Sequence, residues 1–393
     1  MSRLLLYLAL ATATAPVPAP APAELHVEIG EARLVAAGPA TEHRWGRWQF
    51  PTLQLAPHGR LLLFVHVEPD SAASYGKQRR VYVSRDHGRH WQEDAAAAQR
   101  AYGLRLPTGE WLRTDTVTAT PAASITLPAQ FAERVSYRTP FQLYRLRELP
   151  VALRQIFFQR FSKDAWHAEP QTLDDPHALR YATAGLIPQI WWGDMKVLPN
   201  RHMVALTYPY FHDSQTLPYT AAASYTSSDH GHTWTKAGHI LYNEPDRRRD
   251  GFSEPALELL KDGSLLAVLR TTDGNGVGPM YRSRSSDGGH TWTVPQPFTE
   301  TGVLPRLLQL SNGVLVLSSG RPGVDLRFSK DGGVTWTAPR QLVPVPDAQK
   351  PQADSCGYTS LVPLGRDRFL ITYSWFNPPS GAKSIYVREV RVR

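Results

Sequence analysis

Apolar and polar positions alternate along this chain in two recurring patterns, and their interleaving predicts a ring of β-meanders. The first pattern runs Pro-x-Leu, then a turn with Gly, then an apolar stretch. It appears at Pro51-Thr-Leu to Gly59 with Leu61–Val65, at Pro255-Ala-Leu to Gly263 with Leu265–Leu269, and at Pro305-Arg-Leu to Gly313 with Val314–Leu317. Weaker copies are Leu104–Leu112, Lys196–Thr207 and Ser360–Tyr373. Short apolar runs bounded by turn signals read as buried strands. Each copy therefore predicts the two inner strands of a four-stranded unit, and six copies predict six units.

The second pattern is polar and falls between these units. Ser84-Arg-Asp-His-Gly-Arg-His-Trp91, Ser227-Ser-Asp-His-Gly-His-Thr-Trp234, Ser285-Ser-Asp-Gly-Gly-His-Thr-Trp292 and Ser329-Lys-Asp-Gly-Gly-Val-Thr-Trp336 follow one template, Ser-x-Asp-x-Gly-x-Thr-Trp, and Ser162-Lys-Asp-Ala-Trp166 is a degenerate fifth copy. Its physics is that of a hairpin turn. The carboxylate accepts backbone N–H groups, the glycine takes a positive φ and the indole packs beneath. These aspartates are thus expected to be structural. Regular self-similarity of this kind marks a propeller: an all-β, six-bladed β-propeller spanning 24–393, closed by pairing Ser384–Val392 with a strand near Leu25–Glu31.

Four full copies of the polar motif on a six-fold repeat resemble the Asp-box repeats of the sialidases and their BNR-repeat relatives, over nearly all of the chain after its leader. Innermost strands line the axis of a propeller, so equivalent repeat positions converge on one pocket. Alignment on the turn glycines puts Phe50, Arg100, Trp192, Glu254, Leu304 and Tyr358 at one offset. The anomeric carbon of a sialoside carries a carboxylate that repels an anionic nucleophile, whereas a tyrosine hydroxyl relieved of its proton by a glutamate arrives neutral. Tyr358 resembles the family's nucleophile and Glu254 its partner base.

The resemblance extends to the arginines that hold the substrate carboxylate, for which a guanidinium supplies two parallel N–H donors. Arg270 follows the Glu254 strand and Arg321 precedes a Ser-x-Asp turn, as in the family. Where the family opens its first blade with Arg-Ile-Pro, this chain has Gln49-Phe50-Pro51. An amide stands in for the first guanidinium, with Arg47 and Arg44 just upstream as substitutes. The family's general acid falls in the loop His66-Val-Glu68-Pro-Asp70, implying Asp70, with Glu68 and His66 behind it. Trp192 is expected as an aromatic wall for a sugar, and Asp250 and Asp273 flank the Glu254 strand.

Composition adds boundaries. Of 393 residues, 42% are hydrophobic and 20% charged, ordinary globular material. Met1-Ser2-Arg3, the apolar run to Ala11, the small residues Ala13-Thr-Ala15 and a Pro/Ala tract to Ala23 read as a secretory signal peptide and leader. A single cysteine, Cys356, precludes an intrachain disulfide and suits a bacterial periplasm or secreted protein. The net charge of +8 comes with no basic run interleaved with aromatics, so nucleic acid is not an expected partner. Nor is a membrane. No metal or nucleotide motif is present, and no cofactor is expected. Residues 113–160 are the least repeat-like, with Leu127–Val135 and Leu143–Phe158 read as helical and the whole as a segment that shapes specificity. The resemblance implies a monomeric, exo-acting retaining glycoside hydrolase for a terminal sialic acid or related acidic sugar. A carbohydrate-binding propeller without turnover, and a propeller glycosidase or lyase for another glycan, stand as alternative readings.

Overall fold

The computed structural model describes residues 25–136, 139–213, 220–242, 250–271, 278–344 and 357–393; the expected leader, Cys356 and Asp273 lie outside them. The regular structure is almost entirely β, and the chain forms an all-β propeller. No helix among the described residues is long and apolar enough to cross a membrane.

Five sheets are separate meanders. Four of them are four-stranded: Gln49–Leu55 to Gln92–Glu93, Leu104–Arg105 to Ala165–Thr172, Phe252–Leu259 to Gln296–Pro297, and Val303–Gln309 to Arg340–Val343. The fifth runs from Thr359–Pro363 through Arg368–Trp375 to Ser384–Val392, and Val27–Ile29 and Arg33–Ala37 both pair with that last strand. Closure by the N-terminal strand is therefore as the sequence predicts. The remaining meander, Trp192–Val197 to Thr235–Ile240, is merged into a seven-stranded sheet with Ala132–Ser136, Thr139–Arg145 and Ala178–Ala182, so the number of sheets does not by itself return the six-fold count.

The apolar repeat now has a cause. Second strands are sandwiched between neighbouring sheets and read as continuous apolar runs. Leu61, Leu63 and Val65 pack with Leu370, Ile385 and Val387 of the closing sheet. From the other face of the same strand, Leu62 and Phe64 pack with Val81, Ala97 and Tyr102. Each fully buried side chain of this kind contributes roughly 1.5–3 kcal/mol.

The four full Ser-x-Asp turns form as expected. In the copy at 285–292, Asp287 accepts the Ser285 hydroxyl at 2.8 Å and the N–H groups of His290 and Thr291 at 3.1 and 2.9 Å, and the Trp292 indole donates to the Gly289 carbonyl at 3.1 Å. The copy at 162–166 does not form this turn. Ser162 pairs directly with Ala165, and Lys163 and Asp164 both take positive φ (51° and 61°), a two-residue hairpin for which the motif's glycine is missing.

The helices expected at Leu127–Val135 and Leu143–Phe158 are replaced by a hairpin, Ala132–Ser136 with Thr139–Arg145, and by the strand Gln155–Ser162; within these spans only the 3-10 turn Leu146–Glu148 and the single α-turn Val151–Arg154 are helical. Pro150 falls inside the second of these spans and interrupts it. Phe141, Phe157 and Phe158 are residues that pack on pleated surfaces, and tertiary pairing decides the outcome.

Candidate active site

Three first strands carry the same irregularity. Phe50-Pro51, Glu254-Pro255 and Leu304-Pro305 each oppose a single partner residue, with register shifts between Gln49 and Thr52, Ser253 and Ala256, and Val303 and Arg306. The residue before each proline takes a positive φ, 53° at Phe50 and 45° at Glu254 and Leu304. A bulge leaves two residues facing one, and proline fits there because it has no ladder N–H to lose. The bulge re-aims the side chain before the proline, and in the Glu254 sheet it brings the carboxylate to the other groups of the site.

Glu254 is only 9% exposed and sits in a web of donors. Arg270 reaches its Oε2 at 2.7 Å, the backbone N–H of Leu304 donates to the same oxygen at 3.0 Å, and the Tyr358 hydroxyl donates to Oε1 at 3.1 Å. Arg321 Nη2 donates to the Tyr358 hydroxyl at 3.3 Å. Burial pushes the Glu254 carboxyl up, but Arg270, Arg321 and the tyrosine hydroxyl outweigh it and hold the group below its usual range. Burial, reinforced by the Glu254 charge, pushes the Tyr358 phenol well above the usual value, against the opposing pull of Arg321 and Arg270. The resting pair is therefore a carboxylate accepting from a neutral phenol.

Two glycines bring Arg321 beside Tyr358. A Cβ on Gly320 would lie 1.7 Å from the Gly357 carbonyl oxygen, and one on Gly357 would lie 2.6 Å from the Gly320 Cα. The two backbones touch, and the residue following each glycine projects into the site.

Asp70 lies near Tyr358, its charge adding a small upward push on the phenol. Its Oδ2 accepts the Trp45 indole N–H at 2.9 Å. The Trp45 ring lies 6.4 Å from Tyr358 and 6.0 Å from Phe50, with the Arg321 guanidinium 4.7 Å from its centroid. Trp192 packs 5.5 Å from Tyr75 and 6.1 Å from Tyr208. The Tyr75 phenol is pushed up to about 12 by burial and by Asp70, so this aromatic edge adjoins the same acidic group.

Other expected residues are placed elsewhere. Gln49 is fully buried, and its side-chain carbonyl accepts the Gly46 N–H. It turns into the backbone turn that precedes it. Arg47 lies 3.7 Å from Glu42 and donates to the Val67 carbonyl at 3.5 Å, while the exposed Arg44 pairs with the same largely buried Glu42. Glu68 pairs with Lys77 at 3.5 Å. His66 packs 5.6 Å from Phe50, and burial above all lowers its basicity. Arg100 is exposed at the end of a short 3-10 turn, off any strand. The Asp250 carbonyl accepts from Thr220 and Arg134, tying the Ala132–Ser136 hairpin to the segment that leads to Glu254. Trp45, Tyr75 and the Leu304 N–H had no role in the sequence analysis; Trp45 and Tyr75 lie in unrepeated segments where register carries no signal.

Residues 159–367, just over half of the chain, match the BNR repeat-like domain model, and the chain belongs to that family. Among solved structures, a protein of unknown function from Dyadobacter fermentans superposes with a TM-score of 0.64 at 18% identity, covering 93% of this chain and 99% of that one. A Hadza microbial sialidase gives 0.50 at 16% identity over 86% of this chain and 64% of its own length. A variant of the NanB sialidase from Streptococcus pneumoniae gives 0.50 at 12% identity, over 91% of this chain and 70% of that one. No curated protein matches the sequence.

Proposed function

We propose that this protein is an exo-acting retaining glycoside hydrolase that removes a terminal sialic acid or related acidic sugar from a glycan. The observation that carries this reading is the Tyr358 hydroxyl donating to Glu254 at 3.1 Å, with Arg270 and Arg321 bonded to the same pair. As the tyrosine oxygen bonds to the anomeric carbon its proton passes to Glu254, and Asp70 protonates the departing glycosidic oxygen. In the second step the Asp70 carboxylate takes a proton from water, whose oxygen displaces the tyrosine as the tyrosine oxygen recovers its proton from Glu254. Arg270 and Arg321 face the substrate carboxylate, and Trp192 offers a sugar face. Sialidases among the structures that share the fold support the choice of chemistry.

The burial of Gln49 favours a second reading in the same class. Two guanidiniums hold the carboxylate instead of three, which suits an acidic sugar other than sialic acid. We further take the chain as a monomer whose residues 24–393 form six blades, counting the meander within the seven-stranded sheet as the sixth. Residues 1–23 are taken as an export signal and leader, which places the enzyme in the periplasm or outside the cell.

Release of free sugar from a fluorogenic α-sialoside by the wild type and by Tyr358→Phe tests the reading. Turnover should fall by about a thousandfold or more in the variant, with an unchanged melting temperature. Full activity in Tyr358→Phe would remove the tyrosine from the mechanism. An inert wild type that cleaves another acidic glycoside would select the second reading.

A further inference from the structure

Among the side chains at the site to which the mechanism above gives no task is Trp45. Trp45 is 41% exposed, yet the turn that carries it is braced from three sides. Lys383, only 2% exposed, donates to the backbone carbonyls of both Arg44 and Arg47, and so brackets Trp45 from the far end of the chain. Gln49, in the position of the family's first arginine, accepts the Gly46 N–H. Gly46 has φ +88° and is pressed so close to the loop opposite that a Cβ there would lie 2.1 Å from the Asp70 backbone nitrogen. A buried lysine and a buried amide are costly devices for holding a surface turn, which indicates that the place of its tryptophan matters. That place is specific. The indole N–H meets Asp70 Oδ2 at 2.9 Å, while the ring packs 6.3 Å from Phe376 and lies over the Arg321 guanidinium at 4.7 Å.

We propose that Trp45 is a positioning residue: its N–H fixes the Asp70 carboxyl relative to Tyr358, and its ring holds Arg321 against the tyrosine, so that one side chain orients the groups on both sides of the reacting bond. In this chain the position that the family gives to a guanidinium is used to build the turn that presents an indole. The proposal rests on the assignment of Asp70 and Tyr358 given above.

The test compares two glycosides. Methylumbelliferyl α-sialoside leaves as an acidic phenol and needs little proton donation, whereas sialyllactose leaves as a sugar hydroxyl and depends on it. Trp45→Phe keeps a ring over Arg321 and removes only the N–H, and at a 41% exposed position it should melt as the wild type does. It should lower kcat/KM for sialyllactose by about ten- to a hundredfold, the worth of a hydrogen bond to a charged group, and leave the aryl sialoside nearly untouched. In an Asp70→Asn background the same substitution should cost nothing further, because the two act as one unit. Equal losses on both glycosides, or a full additional loss in the Asp70→Asn background, would overturn the role of Trp45 alone. A wild type that cleaves neither sialoside but another acidic glycoside moves the same comparison to the aryl and alkyl glycosides of that sugar, and a wild type that cleaves no glycoside would overturn the assignment of the site and the proposal with it.

Discussion

Glu254 begins the proposed reaction as a carboxylate because two guanidiniums and a phenol share its charge, and this has a consequence for pH. Its proton affinity is depressed in the folded chain below the ordinary glutamate value. The base form therefore persists as pH falls through the ordinary glutamate range, and the acid limb of kcat/KM should lie below that value. The same depression is a stability term: it is present in full above the unfolded glutamate's value and is lost as pH falls through the folded one. A pH–rate profile whose acid limb sits at or above the ordinary glutamate value would contradict the arrangement. Glu254 and Tyr358 were legible in the sequence because both lie at one offset of a repeat, and register on a propeller is geometry. The direction of Gln49 and the presence of Trp45 were not, since Trp45 sits in, and the Gln49 side chain turns into, an unrepeated turn whose shape depends on Lys383, more than three hundred residues downstream.

At the level of elements, the turns and second strands were readable from local chemistry, and the non-repeating insert was misread. Its strands Ala132–Ser136 and Thr139–Arg145 take their form from pairing with each other and with Ala178–Ala182, partners that a local pattern does not reveal. The bulges were hidden in plain sight as X-Pro pairs; the prolines were used to mark the repeat, not to locate a kink. The contact of Gly320 with Gly357 makes a sharp prediction. Gly320→Ala places a methyl against the Gly357 carbonyl, and overpacking of this kind costs about 1–3 kcal/mol. It should also part Arg321 from Tyr358, so turnover falls together with the melting temperature. Gly365→Ala, whose Cβ would meet only the Arg368 side chain at 3.8 Å, should be close to neutral. Wild-type melting and turnover in Gly320→Ala would mean that the close approach has no part in placing the two side chains.

For the molecule as a whole, the decisive feature is the sheet shared by the two ends of the described chain. Val27 faces Val392, Arg33 faces Val387, and the Gly38 N–H donates to the Lys383 carbonyl. Deleting residues 25–37 would strip Ala36 from a buried cluster with Ile385 and Val387 and leave an open strand edge. Calorimetry on that deletion should show a melting temperature many degrees lower and a broadened transition, and an unchanged sharp transition would mean the clasp is dispensable. The same clasp orders events in time. During synthesis the strand that receives Val27 leaves the ribosome more than three hundred residues after it, so the early strands must wait with their apolar faces exposed, and no nascent chain short of it can assemble Trp45, held by Lys383, over Tyr358.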